Sequence, residues 1–213
     1  YRHSNGQVAF SAIDNQSGSN VGAELWASGG TAATTRRVAD INVGADASSP
    51  KSFASLGSTL LFSATSSSGQ ELWASDLTTV GTRLVKDIAS AGSASPSRPV
   101  VLGSRAFFSA DNGSTGIEPW VTDGSTVNTT AVADAHAGSA NSTPTGFTLF
   151  DNNVYFSAEG ASTGQELWFT PLASPNTATL LADINTSPGV GSSPSGFVEA
   201  DGRLYFAATD ESV

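Results

Sequence analysis

The chain has 213 residues, 9 Lys plus Arg against 19 Asp plus Glu, a formal net charge of -10 and no cysteine. The shortage of bases excludes a sequence-independent grip on nucleic acid or anionic membrane, which needs clustered Lys and Arg. The missing thiols exclude disulfides, a thiolate nucleophile and Cys-ligated zinc or iron-sulfur centres. A charged fraction of 13%, 22 glycines, and Leu, Val and Phe in short bursts rather than helical stripes predict an all-β chain.

From the N-terminus, "YRHSNGQ" carries no signal-peptide apolar region, so any export signal is expected outside this sequence. No apolar run approaches the roughly 20 residues of a membrane span, and no membrane insertion is expected. The first strands are "QVAFSAI" and "GAELWAS", and residues 50–88 then display a whole unit: "KSFASLG", "TLLFSAT", "QELWASD" and "TRLVKDI", four short strands divided by Gly/Ser turns. No capping box leads into a 3.6-residue apolar period, so no helix is expected. The pattern returns at "FFSA" with "GIEPWVTD", at "YFSA" with "GQELWFTP", and at "YFAA" near the C-terminus.

Three anchors fix the period. Trp26, Trp73, Trp120 and Trp168 are 47, 47 and 48 residues apart, Asp40, Asp87, Asp134 and Asp183 are 47, 47 and 49 apart, and the Phe-Ser-Ala strands recur in step. Four strands per unit of about 47 residues is the signature of a β-propeller blade. The fold class expected is therefore an all-β propeller with three complete repeats and partial ones at both termini. Taken from the second strand of each, the units are 7–58, 59–104, 105–152, 153–202 and a partial 203–213, forming one domain or part of a larger one. The half repeats at the ends would leave strand edges open, and self-association through them is one way to cover those edges.

Glu24, Glu71, Glu118 and Glu166 stand two residues before the four tryptophans, on the same face of the strand. A buried carboxylate needs donors or a cation. No Lys or Arg recurs in all units, so backbone N–H groups and Ser or Thr hydroxyls of adjacent turns are the expected donors. Glu24, Trp26, Glu71, Trp73, Glu118, Trp120, Glu166 and Trp168 are accordingly read as structural anchors, the tryptophans as packing between blades rather than sugar platforms.

The loops "DINVGADASSP", "DIASAGSASPS", "DAHAGSANSTP" and "DINTSPGVGSSPS" begin at Asp40, Asp87, Asp134 and Asp183 and gather carboxylate and hydroxyl oxygens. Such loops could hold a ligand or a hard cation, calcium being the natural one, or their Asp side chains could simply fix turns. No D-x-[DN]-x-[DN]-G loop occurs, and no cofactor is expected. Asp14, Asp111 and Glu159 lie in unequal loops and are read as solvated. Sequons occur at Asn15, Asn112, Asn128, Asn141 and Asn185, near chance in so Ser/Thr-rich a chain. His3 and His136 have no counterparts in other units, and no nucleophile elbow, phosphate loop or H-E-x-x-H helix appears. The sequence therefore predicts a chain that is not an enzyme.

"GQELWASD", "VGTRLVKDI" and "LGSTLLFSA" together resemble the ELWxxDGTxxGT repeat of bacterial exported and cell-surface proteins. The likeness runs through essentially the whole chain. It implies propeller blades, an extracellular or cell-surface location, and partners that are proteins or glycans. The D-G-T turn departs from that pattern, reading "SGGT", "SDLT", "TDGS" and "TPLA" in successive units, and Pro119 replaces Leu. The expected role is a non-catalytic scaffold, adhesion or protein-interaction module; the alternative is a lectin-like carbohydrate-binding propeller, calcium-assisted.

Overall fold

The computed structural model describes residues 1–14 and 21–210, so the sequon at Asn15 lies outside the described residues. Strands in chain order are β1 (Val8–Asp14), β2 (Val21–Ser28), β3 (Arg36–Ala39), β4 (Lys51–Leu56), β5 (Thr59–Ser66), β6 (Gly69–Ser75), β7 (Arg83–Lys86), β8 (Val100–Leu102) and β9 (Arg105–Asp111). They continue with β10 (Ile117–Thr122), β11 (Thr130–Ala131), β12 (Thr145–Phe150), β13 (Asn153–Gly160), β14 (Gly164–Pro171), β15 (Thr179–Ala182), β16 (Ser195–Ala200) and β17 (Arg203–Ala207). Among the described residues one 3-10 turn, Ala32–Thr34, interrupts them.

Every sheet follows chain order. β4-β5-β6-β7, β8 to β11 and β12-β13-β14-β15 are four-stranded, β1-β2-β3 is three-stranded and β16-β17 two-stranded. Neighbours pair antiparallel because two-residue turns such as Gly57-Ser58 reverse the chain tightly, Gly57 taking φ +59°. In the third sheet the outer strands shrink to Val100–Leu102 and Thr130–Ala131. Pro99, immediately before β8, has no N–H to give a ladder.

The chain forms two compact units, Tyr1–Ala106 with Thr122–Thr129, and Phe107–Val121 with Thr130–Val213. In the first, Ala9, Leu25, Ala27, Val38, Leu60, Phe62, Ala64 and Leu77 make a buried cluster, with Phe53 and Trp73 packed against it. In the second, Phe147 lies between Phe107 and Phe156, with ring centroids 5.9 and 5.3 Å away. A first-strand Phe tilted over a second-strand Phe recurs as Phe53 on Phe62, Phe147 on Phe156 and Phe197 on Phe206. Such ring pairs add a directional term to burial.

A bulge recurs where the third strand passes from Leu to Trp. Leu25 pairs with Ala39 but Trp26 with Arg37, and Leu72 with Lys86 but Trp73 with Leu84, leaving Val38 and Val85 unpaired on the fourth strand. The freed carbonyls accept hydrogen bonds from the next repeat: Thr79 Oγ1 donates to Val38 O and Thr126 Oγ1 to Val85 O, both at 2.7 Å. In the same unit, Arg36 Nη2 donates to Leu77 O and Arg83 Nη2 to Gly124 O, also at 2.7 Å. A bulge that would forfeit a ladder bond thus becomes the acceptor tying one repeat to the next.

Candidate functional site

Each third strand delivers its glutamate to the loop that follows the fourth strand. Glu24, Glu71, Glu118 and Glu166 are all 0% exposed. Glu24 Oε2 accepts from Ile41 N (2.8 Å) and Ser48 Oγ (2.6 Å), and its Oε1 accepts from Ser48 N (2.9 Å). Glu118 repeats this with Ala135 N at 2.8 Å, Ser142 Oγ at 2.8 Å and Ser142 N at 3.2 Å. Glu166 takes Ile184 N at 3.1 Å, Asn185 N at 3.4 Å, Ser192 N at 2.7 Å and Ser192 Oγ at 2.5 Å. Glu71 accepts from backbone alone: Ile88 N at 3.0 Å, Ala94 N at 3.0 Å and Ala89 N at 3.4 Å.

These carboxylates replace water with backbone N–H donors and, at Glu24, Glu118 and Glu166, a serine hydroxyl. Burial raises the Glu71 carboxyl above its ordinary range, the Ile88, Ala94 and Ala89 N–H groups pull it back, and the charge of Asp87 raises it further. Burial likewise raises Glu118, against the Ser142 and Ala135 bonds and with the charge of Asp134. The glutamates hold the long loops onto the strands; their oxygens are spent there.

A glycine two places before each of these glutamates, in or next to the start of the strand, makes the approach feasible. A Cβ on Gly22 would strike the backbone of Ala47, on Gly69 that of Gly92, on Gly116 that of Ala140 and on Gly164 that of Gly191. Gly69, Gly116 and Gly164 also have φ of +86°, +75° and +69°. Sequence reasoning passed over these residues although all four stand two places before a glutamate.

A second missed series holds the turn after the third strand. Ser28 with Thr35, Ser75 with Thr82, and Thr122 with Thr129 pair their hydroxyls at 2.7 Å across seven residues. Thr82 Oγ1 also reaches Thr78 O at 2.7 Å and Thr129 Oγ1 reaches Ser125 O at 2.6 Å. The signal was the 47-residue spacing of Thr35, Thr82 and Thr129, hidden by Ser/Thr abundance. Thr82→Val, which keeps the shape and deletes the hydroxyl, is expected to lower stability by about 1–2 kcal/mol in urea unfolding.

Asp76 and Asp123 stand where the motif has its Asp. Asp76 Oδ1 accepts from Thr78 Oγ1 at 2.6 Å and Thr78 N at 2.8 Å, and those bonds hold its carboxyl below the ordinary range. For Asp123 burial works the other way, but bonds from Ser125 and Asn128 prevail and lower it. Both are Asx-type turns.

The loop aspartates come out differently. Asp87, Asp134 and Asp183 are exposed and Asp40 is half-buried. Asp134 Oδ2 accepts from Gly138 N at 3.2 Å, fixing its own turn. Among the described residues no three His, Asp or Glu side chains come together as a cation site needs. Trp26, Trp73 and Trp168 are half-buried and Trp120 buried, with Trp168 Nε1 donating to Ala158 O at 3.0 Å. Asp111 is half-buried rather than fully solvated, its Oδ1 accepting from Gly113 N at 2.7 Å, whereas Glu159 is exposed. Between the β5–β6 turn and the following loop lies a hollow of about 520 Å³ lined by Ser66, Ser67, Ser68, Gly69 and residues 90–93.

The solved structure of puromycin hydrolase, and that of its S511A mutant complexed with PGG, resemble this chain over 97% of its length, with TM-scores of 0.52 and 0.53 and 12% identity. The likeness is one of fold. The chain spans about a third of the length of those structures, 32%. No protein-family model and no curated protein matches the sequence. The fold is thereby β-propeller-like and all-β.

This finding corrects the expectation that the chain is not an enzyme. A fold of this kind occupies about a third of a hydrolase, so a run of motif-poor repeats is compatible with belonging to one. The physical reason is that residues recurring in every unit report what each sheet needs for packing. They carry no information about chemistry placed elsewhere in a longer molecule.

Proposed function

We propose that the chain is a β-propeller domain of the ELWxxDGTxxGT class, serving at the cell exterior as a scaffold through which a larger protein adheres to or engages proteins. The observation carrying this reading is that recurring polar residues are committed to internal bonds. Glu24, Glu71, Glu118 and Glu166 are closed off by loop donors, while the loops those donors come from differ in sequence and length from unit to unit. Rigid sheets with individually variable loops suit recognition. The acidic, base-poor surface favours partners other than nucleic acid.

A lectin-like domain is the second reading, favoured by the hydroxyl-lined hollow beside Gly69. A surface coated with the chain is expected to retain cells or purified extracellular proteins under flow, and retention should drop when the Ser90 and Ser93 loop is replaced by that of another unit. A glycan array read with and without calcium separates the two: specific glycan binding supports the lectin. Retention indifferent to all loop exchanges, or hydrolysis of puromycin by the isolated chain, would overturn the scaffold reading.

A further inference from the structure

Asparagine is followed by glycine twice in the sequence, at Asn5-Gly6 and Asn112-Gly113. A glycine in that place has no Cβ to keep its own nitrogen away from the carboxamide beside it. The two pairs therefore start with the same chemistry, and the fold treats them differently.

Asn112 opens the turn between β9 and β10, and its side chain folds forward over that turn. Asn112 Oδ1 accepts from Ser114 N, Ser114 Oγ and Thr115 N, each at 2.9 Å, and from Thr115 Oγ1 at 3.2 Å. An amide oxygen has two lone pairs, so four donors exceed what holding the turn requires. Two successive N–H groups and two hydroxyls converge where negative charge gathers when the amide carbon is attacked. The neighbouring nitrogen is engaged as well. Gly113 N donates to Asp111 Oδ1 at 2.7 Å, and a carboxylate so placed can take its proton. Gly113 has φ +80°, with nothing within 4 Å of the position a Cβ would occupy. At the other pair, Asn5 Oδ1 accepts from Gln7 N at 3.0 Å and Gly6 N donates to His3 O at 3.0 Å. There the nitrogen faces a carbonyl, which takes no proton, and the amide oxygen meets a backbone N–H rather than a converging set.

We propose that Asn112 is a self-modification site, at which Asp111, Gly113 and the Ser114-Thr115 donors convert the asparagine through a succinimide to aspartate and isoaspartate. Asp111 takes the Gly113 N–H proton as that nitrogen bonds to the Asn112 amide carbon, and the oxygen's charge is held by the four donors. The bond to Nδ2 then breaks, and the nitrogen takes up the proton and leaves as ammonia. Water opens the ring at either carbonyl, giving an aspartyl or an isoaspartyl residue. The product adds a negative charge beside Asp111, and the isoaspartyl form lengthens the backbone of the β9–β10 turn by one methylene. Asn112 also heads one of the sequons, and the reaction removes its acceptor amide. The reaction needs only this chain and water, whatever the chain binds.

The full chain, held in neutral buffer, is sampled over days and peptide-mapped by mass spectrometry for the amide-to-acid change at Asn112 and Asn5. Asn112 is expected to convert at least about tenfold faster than Asn5 in the folded chain, and the two rates should come together in urea. Asp111→Asn keeps an acceptor for Gly113 N but removes the base, and should slow Asn112 by at least about tenfold while leaving Asn5 unchanged. Ser114→Ala combined with Thr115→Val should slow it several-fold by removing the two hydroxyls. Circular dichroism checks that each variant is folded; should Asp111→Asn not be, the hydroxyl variant carries the test. Equal rates at the two asparagines in the folded chain, an Asn112 that converts faster in urea than when folded, or rates indifferent to these substitutions would overturn the proposal.

Discussion

Replacing Glu71 by alanine is expected to destabilise the chain by about 3–5 kcal/mol, seen as a lower denaturant midpoint with little change in slope. The side chain is fully buried, and its removal strands the N–H groups of Ile88, Ala89 and Ala94 around a cavity. Each unsatisfied buried donor costs about 1–3 kcal/mol, less where water can enter. Glu71→Gln should cost less, about 1–3 kcal/mol, because one oxygen still accepts while the amide nitrogen confronts a donor. The two variants also separate in pH. Burial raises the native Glu71 carboxyl above its ordinary 4.5, so the native state keeps this proton to higher pH than the unfolded chain does. The stability tied to it is present below 4.5 and is lost as pH climbs through the raised native value. Gln has no such dependence, so the gap between wild type and Glu71→Gln should narrow as pH rises through that window. A gap that widens would show the carboxylate, not the acid, to be the form that burial favours.

Repetition made much of this legible. Three anchors at one period located the strands, and the scarcity of Lys and Arg pointed to backbone and hydroxyl donors for Glu24, Glu71, Glu118 and Glu166. Alternation specifies which side a residue faces, which is why the Glu and Trp positions could be read at all. It says nothing of how a loop 24 residues away settles on the strand, so Ser48 over Glu24 and the space kept by Gly69 were out of reach. The Arg36 and Arg83 bonds to Leu77 O and Gly124 O were missed for a related reason. They serve two repeats rather than four, and a search for residues shared by all units passes over ties made by some. The dismissal of an enzyme failed on a different ground, since packing residues repeat whether or not catalysis occurs elsewhere.

Gly69→Ala is expected to cost about 3 kcal/mol or more, as much as a core truncation, although only one methyl group is added. Two penalties combine. Gly69 has φ +86°, where an L side chain crowds its own backbone, and the new Cβ would overlap Gly92 O. Gly57, at φ +59° with nothing within 4 Å of its virtual Cβ, isolates the first penalty; Gly57→Ala should cost only about 1 kcal/mol. The second penalty falls on a backbone atom that cannot rotate away, so the loop must lift. That loop also carries Ala89 and Ala94, whose N–H groups hold Glu71. Lifting it therefore spends part of what Glu71→Ala would remove. The double variant should accordingly lose less than the sum of the singles, by about 1 kcal/mol or more, as expected for residues sharing one structural element. Strict additivity would mean that the loop reaches Glu71 independently of Gly69, and that the glycine serves only its own dihedral angle.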